Sequence, residues 1–198
     1  MIFRTSIRLA ALAACVAFAG SAVATNATAA DYVIDTKGAH ASINFKIPHL
    51  GFSWLTGRFD TFSGVFTYDD KKPEASKVSV EIDTTSINSN HAERDKHLRS
   101  ADFLDAAKFP KATFVSKSVT PNGAGKATIA GDLTLRGVTK PVTIDAQFIG
   151  GGADPWGGFR QGFAGTARLV LAEYGMTHDL GPAAKEVELT INVEGVKK

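Results

Sequence analysis

The feature that most constrains this 198-residue chain is a two-residue alternation of apolar and polar side chains. Strand side chains point to opposite faces in turn, so each such run reads as a half-buried strand. "HASINFKI" sets Ala41, Ile43, Phe45 and Ile47 against His40, Ser42, Asn44 and Lys46. "KVSVEID" sets Val78, Val80 and Ile82 against Lys77, Ser79, Glu81 and Asp83. "DTFSGVFTYD", "KATIAGDLTLR", "PVTIDAQFI", "GFAGTARLVL" and "EVELTINVEG" repeat the pattern, and "ATFVSKSV" near 112–119 is a mixed case. Eight or nine strands follow, separated by the turn-forming stretches "DDKKPEAS", "PNGAG", "RGVTKP", "GGGADPWGG" and "YGMTHDLGPAA".

An antiparallel sheet of this size must close on itself or split in two. Long strands joined by short turns favour a meandering barrel. An immunoglobulin-like sandwich is the alternative, although the chain lacks the Cys…Trp…Cys pattern. The inner face would carry Gly64, Ala112, Ala127, Gly131, Ala146, Gly165 and Ala167 among larger apolar residues. Such small residues leave room for a ligand, or else allow close packing and bulges. If there is a cavity, its lining is apolar and its guest a long hydrocarbon, since a polar guest would lose its hydrogen bonds on entry. The leading candidates for the lining are Phe45, Phe66, Val80, Ile82, Phe114, Ile129, Leu133, Ile144, Phe148, Phe163 and Leu169.

A different pattern precedes the strands. Arg4 and Arg8 are followed by the apolar run "LAALAACVAFAG" and by small residues leading to "ATAADYVID". This is the form of a secretory signal peptide spanning residues 1–29, leaving one domain over 30–198. The run is too short to span a bilayer. Cys15, the only cysteine, lies within it, so the exported chain would have no thiol and no disulfide. "LAAC" also resembles a lipoprotein processing site, which makes a lipid anchor at Cys15 the minor alternative. The leader carries two of the 22 basic residues and none of the 20 acids, so the remaining domain is balanced in charge. A nucleic-acid partner would call for a basic patch.

"NHAERDKHLR", residues 90–99, concentrates charge. Drawn as a strand, it would align His91, Glu93, Asp95 and His97 on one face. Neither face would then be apolar, and no residue in it is β-branched or aromatic. A helix fits better, with Asn90 as N-cap, Glu93 at the third position and Asp95 four residues before Arg99. Asp102 is a candidate cap for a second turn, which Pro110 ends. On a helix, His91 and His97 lie about 120° apart. A metal-dependent enzyme using that pair is the remote alternative, because the chain has no H-E-x-x-H helix and no G-x-S-x-G elbow. No residue is assigned as catalytic or as a metal ligand. Phe52 and Trp54 in "HLGFSWLTG" are read as part of a connection that guards the cavity mouth or staples the loop, and Trp156 is read as part of a turn. Arg58, Arg94, Lys96 and Arg99 are the cations in connecting regions that could meet an anionic head group. His40, His49 and His178 receive no role.

The same charged stretch, extended as "NHAERDKHLRSADFLDAAKFPKATF", resembles a signature of the YceI-like family of bacterial lipocalin-like proteins. "GDLTLRGVTKPVTI", "DPWGGFRQGF" and "DLGPAAKEVELTINVEG" are similar to later blocks of that family in the same order. The resemblance runs from about Asp31 to Gly195. It implies an all-β, extended eight-stranded antiparallel lipocalin-like barrel around an apolar tunnel, with the short helical segment near residues 90–108. It further implies non-catalytic binding, transport or storage of a long-chain amphiphile, such as an isoprenoid quinone or a polyprenyl phosphate. A periplasmic setting is implied, often with homodimers, and no cofactor beyond the bound lipid. A scavenger of toxic hydrophobic compounds or drugs would use the same cavity.

Overall fold

A computed structural model describes residues 29–198. The expected leader, with Cys15, lies outside the described residues except for Ala29. The strands are β1 (Ala30–Ile34), β2 (Ser42–His49), β3 (Ser53–Phe59), β4 (Phe62–Tyr68), β5 (Lys77–Asp83), β6 (Ile87–Asn88), β7 (Lys111–Gly123), β8 (Lys126–Leu135), β9 (Val138–Ala153), β10 (Phe159–Val170) and β11 (Glu186–Lys197). Among the described residues one α-helix, α1 (Ala92–Leu98), interrupts them.

Eight strands close into an antiparallel barrel in the order β1, β4, β5, β7, β8, β9, β10, β11, and β11 returns to β1. The lipocalin-like barrel is therefore the architecture, and the sandwich is not. At the seam β11 is shared: Gly195–Lys197 pair with β1, while Glu188–Asn192 pair with β2. β3 continues the wall beside β2, and the two-residue β6 pairs with β3. Closure gives most strand edges a partner, which is what a long antiparallel sheet in water requires.

Strands run further than the turn signals suggest. Arg136 and Gly137 both have positive φ, 51° and 73°, and form a two-residue hairpin. Val138–Lys140, read from sequence only as turn, are therefore the first residues of β9. Ala124 and Gly125 make the equivalent turn, so Pro121–Gly123 belong to β7. Trp54 is also corrected: it lies in β3 rather than in a connection. The alternation of Leu55, Gly57 and Phe59 against Trp54, Thr56 and Arg58 was present in the sequence, but Gly57 and the polar residues masked it.

The α1 cap is corrected by one residue. Asn90 is in the left-handed region at φ 61°, and its N–H donates to Asn88 Oδ1. His91 is extended, and its Nδ1 accepts from the Arg94 N–H at 3.3 Å. Nor is this a wholly solvated helix. Asp95 is buried and accepts from both the N–H and the hydroxyl of Ser89. Burial alone would raise its pKa; the Ser89 hydrogen bonds and the neighbouring Arg99 and Arg94 outweigh that, and the pKa is lowered. Between α1 and β7, Phe103, Leu104 and Ala106 are buried and join the main core.

Candidate functional site

Within the barrel lies a cavity of about 670 Å³, inside the size range of small-ligand sites. β2 contributes Ile43, Phe45 and Ile47 to its wall, and β3 contributes Leu55 and Phe59. Ile82, Ala112, Leu133, Leu135, Leu169, Val187 and Leu189 continue the wall around the barrel. Each belongs to an inward-facing set of an alternating strand, so the strand period itself aims apolar atoms at the cavity. Leu98, Phe103 and Leu104 from the α1 region, with Leu171, Met176 and Leu180, complete the lining.

Polar groups in the lining are few: His49, Arg94, His97, His178 and Asp179. Apart from the half-buried Arg94, these are exposed, and with Leu50 they form the rim. Arg94 is held by Ser89, donating from Nε to Oγ at 2.8 Å and from Nη2 to the backbone oxygen at 2.6 Å. A second arginine organises the rim from outside the lining. Arg136 donates from Nη2 to the Ala101 carbonyl at 2.7 Å and from Nη1 to the Gly175 carbonyl. It thereby ties the segment after α1 to the segment before β11.

Of the residues selected from alternation alone, Phe45, Ile82, Leu133 and Leu169 line this cavity. Phe114, Val80, Ile129 and Ile144 pack in or against the same core cluster without bordering it. Phe66, Phe148 and Phe163 lie elsewhere. With Tyr32 and Tyr68 they form an aromatic cluster: Phe66 meets Phe163 edge-on at 5.5 Å, and Tyr68 meets Phe163 at 5.1 Å. Phe148 lies 5.5 Å from Phe163 and stacks on Tyr68 at 6.0 Å. The barrel interior is thus divided lengthwise between an aromatic plug and a cavity. Alternation marks the inner face of a strand but not the level along the barrel, so it could not separate the two.

Among the mouth candidates, Arg94 borders the cavity. Phe52, 85% exposed, and Trp54, 62% exposed, point away from it. Lys46 Nζ lies 5.0 Å from the Trp54 ring. Arg58 pairs with Asp60 at 2.5 Å, and Lys96 is exposed. Arg99 donates to the Ile87 carbonyl at 3.3 Å, a structural bond that secures α1 to β6. The His91/His97 pair is not brought together: His91 caps α1, whereas His97 Nε2 lies 3.0 Å from Asp102 Oδ2. The residues missed in the sequence are His49, His178 and Asp179 at the rim and Met176 and Leu180 in the lining. His178 sits in a stretch without periodicity, and nothing local in the sequence signals its approach to His97.

Comparison with known proteins gives one consistent result. A family model described as YceI-like domain matches residues 32–195. A UPF0312 protein of Shewanella sp. (strain ANA-3) is 59% identical over 172 residues, which is 87% of this chain and 90% of that protein. The crystal structure of the Campylobacter jejuni YCEI protein matches with a TM-score of 0.70 at 29% identity, covering 77% of this chain and 90% of that one. A polyisoprenoid binding domain from Saccharophagus degradans matches with a TM-score of 0.60 at 16% identity, covering 86% of this chain and 100% of that one. At that identity the likeness shows a shared fold.

Proposed function

The chain belongs to the YceI-like family, and from that premise we propose that it binds a long-chain amphiphile, of the polyisoprenoid class, without catalysis. The observation that carries this reading is the segregation of the cavity lining. Apolar side chains make the wall, and the polar groups gather at the rim. A tail entering such a cavity leaves water without meeting unpaired donors or acceptors. Each buried methylene contributes about 0.8 kcal/mol, so ten of them supply about 8 kcal/mol before ordering costs. A polar head would stay among His49, Arg94, His97, His178 and Asp179, where water and charge are available. The description of the Saccharophagus degradans domain as polyisoprenoid binding agrees with this ligand class.

The signal-like sequence of residues 1–29 supports a periplasmic setting for this binding. The test is to purify the exported protein, extract it with organic solvent and identify the bound lipid by mass spectrometry. A co-extracted prenyl lipid, or uptake of one by delipidated protein, is the expected result. Protein that carries no lipid and takes up no isoprenoid would overturn the reading. Equal affinity for unrelated hydrophobic compounds would favour scavenging over carriage of one prenyl chain.

A further inference from the structure

We propose that His97, Asp102 and His178 form a binding site for a divalent transition metal of the zinc class at the cavity rim. Each of the three offers one ligand atom, and these atoms all lie within 4.8 Å of one another. Two imidazoles and a carboxylate are a donor set that suits zinc, with three protein ligands and an open fourth position. Tetrahedral ligands at zinc bond lengths sit about 3.4 Å apart. His97 Nε2 and Asp102 Oδ2 are already 3.0 Å apart. The remaining separations close by side-chain rotation, which exposed residues can make.

Three features favour a built site over a chance meeting of surface groups. The His97 ring lies edge-on against Phe103 at 4.9 Å, and the His178 ring lies 5.2 Å from both His97 and Phe103. Phe103 itself is buried in the core, so the platform under both rings is fixed. Arg136 bridges the Ala101 and Gly175 carbonyls, which lie within three residues of Asp102 and His178 respectively. Among the described residues, no side-chain hydrogen bond is made by His178, which leaves its ring nitrogens free to ligate.

A second His–carboxylate group, Asp35, His40 and Glu194, makes an instructive contrast. There Arg160 Nη1 already lies 2.7 Å from Asp35 and 2.5 Å from Glu194, and Nε lies 2.9 Å from Asp154. A guanidinium supplies the positive charge, and a metal would have to displace it. At His97, Asp102 and His178 no arginine or lysine forms such a pair among the described residues, and the cation position is left to an ion. Because both histidines line the cavity, the ion would join α1 to the segment before β11 across the rim.

The proposal does not depend on the nature of the bound lipid. Chelator-treated protein is titrated with Zn²⁺ by calorimetry at neutral pH, and Co²⁺ absorption reports the coordination geometry. The expected result is one equivalent bound, with affinity reduced at least about tenfold in His178→Gln and in Asp102→Asn. His40→Gln should leave the titration unchanged. Circular dichroism checks that each variant is folded; Asp102→Asn is isosteric at an exposed position, so it keeps the test valid should His178→Gln misfold. No binding at millimolar zinc, an affinity unaffected in both variants, or a loss confined to His40→Gln would each overturn the proposal.

Discussion

The ring of Phe45 fills the space where a side chain on its cross-strand partner Gly57 would lie. Rings also fill the side-chain space of two glycines that are not their cross-strand partners. A Cβ on Gly131 would sit 2.5 Å from Phe114 Cζ, and one on Gly195 would meet the Phe66 ring. Gly57, Gly131 and Gly195 therefore serve close packing against aromatic rings, whereas Ala112 lines the cavity. Gly57→Ala should push Phe45 toward the cavity, destabilise the fold by about 1–3 kcal/mol and reduce retained ligand. Denaturant midpoints and lipid extraction measure the two effects together.

Ile47 is half-buried on β2 and lines the cavity close to the rim. Ile47→Trp places bulk in the ligand's path while leaving the deep core alone. Ligand affinity should fall at least about tenfold, or 1.4 kcal/mol, with little change in melting temperature. Equal loss of stability and binding would instead mean that the cavity had collapsed.

Tyr32 and Phe66 stack with centroids 4.8 Å apart, at the heart of the aromatic plug. Phe66→Ala should cost about 3–5 kcal/mol, as for other buried phenyl truncations. It should also lengthen the cavity and shift the bound lipids toward longer chains. Mass spectrometry of the lipids extracted from this variant reads the shift.

Arg160 joins Asp35, Asp154 and Glu194, linking β1, the β9–β10 turn, β10 and β11 where the barrel closes. The Arg160 hydrogen bond, then those from Gly38 and His40, hold the Asp35 carboxyl well below its ordinary value of 3.8. A depressed folded pKa means that this stabilisation is present above 3.8 and is lost as the pH falls toward the folded value. Arg160→Gln should lower the melting temperature at neutral pH and flatten its decline as the pH falls below 3.8. Thermal melts at neutral and strongly acidic pH, compared with the parent protein, give the slope.

Asp95 is the single acceptor for the Ser89 N–H and hydroxyl under α1. Asp95→Ala leaves the buried Ser89 N–H unpaired and should cost about 1–3 kcal/mol. Arg94, which Ser89 positions, should loosen with it. Hydrogen exchange at Ser89 and Arg94 would localise the effect to this edge of the cavity.

Local sequence determined β2, β4, β5 and β7–β11, because an inner face must be apolar every second residue and the turns between runs need glycine or positive φ. Alternation therefore marks Phe45, Ile82, Leu133 and Leu169 as inward, and the charged stretch after β6 is legible as a helix. Period two carries no information about height along a barrel. It could not tell that Phe66, Phe148 and Phe163 gather in one plug while Phe45 and Leu169 face open space; register between strands decided that. Nor could it place His178 beside His97, since the two are distant in the chain and meet only because barrel closure and the Arg136 bridge bring the β10–β11 connection against α1.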